Sequence, residues 1–245
     1  MRIGVVVLVF AMTFCTSKEA TPVHAVSDYF PLKVGLYYIY SVDSVITSQG
    51  SACCAQGIQT NYVYQLKIQV IDSFPNSEGG YSYVLQRSKR ADSTSAWISM
   101  ATWSARVNPS QAVVNEGNIP YIKVESPLVN GKAWDGNGLN NLGGSDKCLD
   151  NSTSTCDIYT LQNFEQPYTQ QGLYFKNSLT VMQSDNQDHI VYEDLRSEVY
   201  AEKVGLIYRT ITQLHFCTSD TTCLGQMFVN QGIIYNQILL TYGGL

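Results

Sequence analysis

The chain has 245 residues, of which 14% are charged, with 15 Lys+Arg against 20 Asp+Glu for a net charge of −5. That acidic balance, with no basic run, excludes a nucleic-acid-binding surface and peripheral binding to anionic lipid. The length suits one β-domain with a large core, because sandwiches and barrels commonly reach this size undivided.

The N-terminus reads as an export signal: Arg2, then an apolar run from Ile3 to Met12 broken only by Gly4, then Thr13-Phe14-Cys15. About ten apolar residues are too few to span a bilayer, which takes roughly 20. A cysteine where the run stops suggests a lipobox, so residues 1–14 are expected to form a lipoprotein signal peptide and Cys15 to carry the lipid. The residue before the thiol is Phe14, where lipoboxes prefer a small one. The competing cut, after Val23-His24-Ala25, lies far beyond the run, behind Lys18 and Glu19. Residues 15–27 are polar and aperiodic and read as a flexible tether. The expected address is the cell envelope, on the outer membrane, with the lipid as the membrane contact.

From residue 28 to 245 a single mainly β domain is expected, an antiparallel meander closing as a barrel, half-barrel or sandwich. Period-two alternation of β-branched and aromatic residues carries this reading. It marks 36–47, then Tyr62, Tyr64, Leu66, Ile68 and Val70 on one face, then 81–90, 95–104, 172–183, 206–216 and 233–242. In 206–216 it places Leu206 and Tyr208 on one face and Ile207 and Arg209 on the other. Turn clusters at 76–80, 91–94, 115–118 and 230–232 separate the segments. The best helical candidate, Glu193 to Lys203, fits a strand running into a turn equally well. The stretch 135–157 is the one long loop, and loops of that length often carry function.

Seven cysteines fit an oxidising compartment: with Cys15 lipidated, Cys53, Cys54, Cys148, Cys156, Cys217 and Cys223 form an even set. Cys217 and Cys223 flank a polar loop, as do Cys148 and Cys156, so local pairing is expected. Each closure would stabilise by roughly 2.5 kcal/mol on the chain-entropy account. Cys53 and Cys54 remain, paired with each other or reaching separate partners. A structural zinc is disfavoured, since the C-x2-C spacing is missing.

Four strings resemble an uncharacterised family of secreted lipoproteins of Bacteroidota. They are Tyr29-Phe30-Pro31-Leu32-Lys33-Val34-Gly35 leading into Tyr37 to Ser44; Gly131-Lys132-Ala133-Trp134-Asp135-Gly136-Asn137; Glu198-Val199-Tyr200-Ala201 running into Val204-Gly205-Leu206-Ile207-Tyr208; and the ending from Gly232 to Gly243. They follow the family's order over most of the chain. The departures are Tyr38, where a tryptophan is usual, and the extra cysteines. The resemblance implies an envelope address and no particular chemistry. The last strand pair has a weaker likeness to LolA/LolB-like sheet proteins, which implies a sheet curved around an apolar ligand.

No catalytic motif is present: no G-x-S-x-G, H-E-x-x-H, Walker loop or G-x-G-x-x-G. No catalytic, cofactor-binding or metal-ligating residue is assigned. Asp135-Gly136-Asn137-Gly138, with Asp146, Asp150 and Asp157, offers oxygen ligands, but the EF-hand order fails and turn formation explains the same residues. The expected role is a non-enzymatic binding or interaction module for an apolar molecule, a glycan or another envelope protein. The 17 tyrosines, apolar in body and polar at the tip, suit such a surface. The alternative is a hydrolase with dispersed carboxylates, drawn from Asp185, Asp188, Glu193 and Asp194.

Overall fold

A computed structural model of the chain describes residues 24–49, 56–141, 157–218 and 221–244. The elements in chain order are a short helix α1 (Val26–Tyr29) and strands β1 (Tyr37–Ser48), β2 (Ile58–Pro75), β3 (Tyr81–Arg90), β4 (Ile98–Val107), β5 (Gln111–Glu116), β6 (Ile119–Glu125), β7 (Ala133–Asp135), β8 (Ile158–Gln170), β9 (Leu173–Asp188), β10 (Tyr192–Ala201), β11 (Gly205–Phe216) and β12 (Val229–Gly243). They form one antiparallel sheet in the order β6-β5-β4-β3-β2-β1-β12-β11-β10-β9-β8-β7.

Each strand therefore lies beside its neighbours in sequence, and β1 pairs with β12 to join the two halves of the meander (Tyr40 opposite Leu239). The remaining edges, β6 and β7, meet at a seam. There the Ile122 amide donates to the Gly136 carbonyl at 2.8 Å, and the Trp134 indole N–H donates to the Ile122 carbonyl at 2.9 Å. The sheet is thus a nearly closed barrel, which leaves few unpaired backbone groups at its edges.

Alternation puts Tyr38, Tyr40 and Val42 of β1 inside, against Leu66 and Val70 of β2 and Leu239 of β12. A second packed group gathers near the seam: Trp134, Tyr159, Leu161, Leu179 and Val181. Each fully buried side chain of this kind contributes about 1.5–3 kcal/mol. Val26 and Tyr29 of α1 are buried in this second group, with contacts to both β5 and β11. The helix thus crosses one end of the barrel. His24 is also packed, its Nε2 2.9 Å from Glu165. Residues 24–27, read from sequence as tether, therefore belong to the folded body, because Val26 supplies an apolar anchor that a polar-composition reading overlooks.

The seam depends on one glycine. A Cβ on Gly136 would fall inside the buried Tyr159 ring. Gly136→Ala is expected to destabilise the fold by about 1–3 kcal/mol, the usual cost of forcing atoms into a filled core. Urea denaturation measures this, and an unchanged midpoint would show that the seam relaxes freely.

Of the expected cross-links, Cys217–Cys223 is present, with Cα atoms 5.7 Å apart. Cys15, Cys53, Cys54, Cys148 and Cys156 lie outside the described residues.

Candidate functional site

The barrel interior carries charge. Glu198 on β10 stands opposite Arg209 on β11, and Arg209 stands opposite Gln237 on β12. Lys123 reaches in from across the barrel. Ala112 pairs with Val124 and Val113 with Ile122, so Lys123 is the extra residue of a bulge on β6. Its Nζ lies 2.6 Å from Glu116 Oε1 and 3.0 Å from Glu198 Oε1. Arg209 completes the alternation of signs, with Nη2 3.3 Å from Glu116 Oε2 and Nε 3.4 Å from Glu198 Oε1. The Tyr200 hydroxyl donates to the other Glu198 oxygen at 2.5 Å.

The cluster is deeply buried: Lys123 is 3% exposed and Glu198 1%. Burial pushes both carboxyls up, but neighbouring cations outweigh it. Arg209 and Lys123 hold Glu116 down at about 2, and Lys123 and Arg209 hold Glu198 below its ordinary value. Burial likewise opposes the Arg209 charge, and Glu116 and Glu198 more than offset it. Two basic and two acidic side chains thus balance in number. A glycosidase-like acid needs a carboxyl held up near neutrality, and neither glutamate provides one.

Arg87 on β3 is a fifth charge without such balance. Its guanidinium lies 3.7 Å from the centre of the Trp103 ring, a cation–π stack. Its buried Nε has no hydrogen-bond partner among the described residues, and the same holds for Gln237 Nε2, whereas Arg209 Nε faces the Glu198 carboxylate at 3.4 Å. Gln237 is fixed through its other amide atom, which accepts from the Tyr235 hydroxyl at 2.7 Å. Burial is the main influence on Arg87 and lowers its pKa.

Arg87, Arg209 and Gln237 line one cavity of about 80 Å³. A cavity needs roughly 10–15 Å³ to hold one water, so this one has room for several. The strand register sorts the lining. On β2 and β3 the pair Val70–Leu85 sits two residues nearer the Leu36 end than the pair Ile68–Arg87. On β10 and β11 the pair Tyr200–Leu206 sits nearer the 201–205 turn than Glu198–Arg209. Phe30 and Leu32, following α1, add to the apolar part of the wall. The cavity is therefore apolar toward the end crossed by the N-terminal segment and polar farther in.

None of these charged residues was assigned a role from sequence. On β11 the expected alternation fails, because Ile207 is the extra residue of a bulge opposite Val199–Tyr200. Leu206 and Arg209, assigned to opposite faces, consequently line the same cavity.

The acids proposed for a hydrolase do not converge there. Asp194 is buried and binds Arg196 (Oδ1 to Nε 2.8 Å), whose Nη2 also reaches Asp157 at 3.1 Å. Asp185 pairs with Leu195, and Glu193 lies one residue from Asp194, so both occupy the opposite face of the sheet. Asp188 accepts from the Ile190 amide in a turn. The oxygen-rich loop is likewise engaged internally. Asp135 accepts from the Asn137 amide at 2.9 Å, and the Asn137 side chain donates to Asp157 at 3.3 Å. Asp146 and Asp150 lie outside the described residues.

No protein family matches the chain by sequence, and no curated protein does. Two solved structures are similar in fold. One is a "putative exported protein with YmcC-like fold" from Bacteroides fragilis, with 11% identity, covering 88% of this chain and 99% of that one at a TM-score of 0.43. The other is a "putative lipoprotein" from Parabacteroides distasonis, with 9% identity, covering 88% of this chain and 98% of that one at a TM-score of 0.39.

Proposed function

We propose that the chain is a lipoprotein of the cell envelope, anchored through Cys15 in the outer membrane, and acts as a non-enzymatic binding module. Its ligand is a small amphipathic molecule held inside the barrel. The observation that carries this reading is the graded cavity, apolar toward the N-terminal segment and lined farther in by buried polar donors without acceptors. Such donors cost free energy when left unpaired, and a bound acceptor offsets that cost. A pocket of mainly apolar walls with a few convergent polar groups is the ordinary form of a small-molecule site. The gradient suits an amphiphile better than a glycan, which presents hydroxyls along its whole length.

One preparation tests both parts. Cys15→Ala is expected to move the chain from the membrane to the soluble fraction, where native mass spectrometry should find a co-purifying small molecule released on unfolding. Continued membrane association would overturn the anchor. An empty protein would overturn the ligand and leave a protein partner in the envelope as the reading.

A further inference from the structure

Resting on that reading, we infer that the ligand's head group is a single-charge oxyanion seated against Arg87, with its apolar tail directed toward Phe30 and Leu32. The argument begins with charge. Lys123 and Arg209 are matched by Glu116 and Glu198 at ion-pair distances of 2.6–3.4 Å. Arg87 is the remaining cation of the cavity wall and makes no ion pair with either glutamate. The lining thus carries one uncompensated positive charge, and burying a charge in that condition is costly. One negative charge from a ligand would neutralise it; two would overshoot.

Geometry supports the same assignment. Stacking on Trp103 fixes the plane of the Arg87 guanidinium, and a planar, fixed fork is suited to the paired oxygens of a carboxylate or phosphate. Gln237 Nε2 offers a neutral donor in the same cavity. Outward along the register, Val70 and Leu85 are succeeded by the N-terminal segment, where a chain of methylenes finds apolar contact. Head and tail thereby receive opposite environments about two strand residues apart, some 6–7 Å.

The test uses the full chain carrying Cys15→Ala, so that no acyl group of its own competes. Isothermal titration compares octanoate, methyl octyl phosphate and octanol: a carboxylate and a phosphodiester of one charge each, and a neutral alcohol of the same chain length. At least one of the two anions is expected to bind about tenfold or more tighter than octanol, and the tighter one identifies the head-group chemistry. Arg87→Met should abolish that preference, retain octanol binding and leave the unfolding midpoint unchanged or raised, since it removes a half-buried charge that has no ion pair with either glutamate. Arg87→Lys, which keeps the charge but loses the fork and the stack, should reduce the preference several-fold. If octanol binds as well as both anions, the anionic head is wrong and the cavity reading stands. If none of the three binds, both fall together. An unchanged preference in either Arg87 variant removes Arg87 from the site.

Discussion

Lys123→Met is expected to lower the unfolding free energy by about 3–5 kcal/mol, as read from urea denaturation at neutral pH. Methionine fills nearly the same volume, so the cost is electrostatic. Lys123 lies 2.6 Å from Glu116 and 3.0 Å from Glu198, two carboxylates with little access to water. Without it Glu198 loses its nearest cation and both carboxylates are left to pair with Arg209, since Arg87 makes no ion pair with either, and a carboxylate that cannot be rehydrated is destabilising. Lys123 is also the tie between the β5–β6 side of the seam and β10, so its loss loosens the closure of the barrel. The electrostatic account makes a second demand. Glu198→Gln in the Lys123→Met background should recover part of the loss, because removing both charges of a buried pair is far cheaper than removing one. A loss below about 1 kcal/mol in the single variant, or strictly additive effects in the double, would show the cluster to be better hydrated than its burial indicates.

The strand pattern was largely legible because alternation is a local property. The segment read at 81–90 is β3 itself, and 36–47, 172–183, 206–216 and 233–242 are the bodies of β1, β9, β11 and β12. The ambiguous stretch Glu193 to Lys203 forms β10 and its turn. The strands missed lack a clean period of two. In β8, Asn163 and Glu165 adopt left-handed conformations, with φ of 52° and 59°, and break the alternation. β5 and β7 are only six and three residues long. Glu116 was read as part of a turn, whereas it ends β5 and points into the ion cluster.

The cavity was hidden for a different reason. Lys123 and Glu198 are 75 positions apart, Lys123 is itself the extra residue of a bulge, and a second bulge at Ile207 shifts the parity of the strand that carries Arg209. Parity is the only information alternation carries, so a bulge erases it. A signal was nonetheless present. Lys123 stands between Ile122 and Val124, and Glu198 precedes Val199-Tyr200-Ala201. A charge such as Lys123, flanked by apolar residues in a short strand, must find a partner of opposite sign, and Glu198 is one of the two it finds. The acids that attracted notice, Asp185 to Asp194, were conspicuous because they cluster in sequence, and the alternation of adjacent strands then sends them to opposite faces.

Acid should unfold the protein through this same cluster. Glu116 has an ordinary value of 4.5 and is held at about 2 in the folded chain. A carboxyl depressed by folding contributes stability that is present above its unfolded value and lost as pH falls toward its folded one. The window is therefore pH 4.5 to 2, and by pH 2 Glu116 alone accounts for a loss of about 3 kcal/mol. Glu198 shifts in the same direction and steepens the decline. Asp157, which burial holds above its ordinary value despite Arg196, has the opposite sign and partly offsets it. Asp92 also titrates low, held at about 2 by hydrogen bonds from Thr94 and Ser95, but it lies in an exposed turn remote in sequence from Glu116. The decisive quantity is therefore a difference of slopes. Unfolding free energies from urea titrations at pH 7, 5, 4, 3 and 2 should fall less steeply below pH 5 in Glu116→Gln than in the native chain, by about 3 kcal/mol over the whole range. The variant will start from a lower stability at pH 7, because Lys123 and Arg209 lose an anion, so that level is not the criterion. Parallel curves would mean that Glu116 is not held ionised by its neighbours, and the balance of two cations against two anions would have to be redrawn.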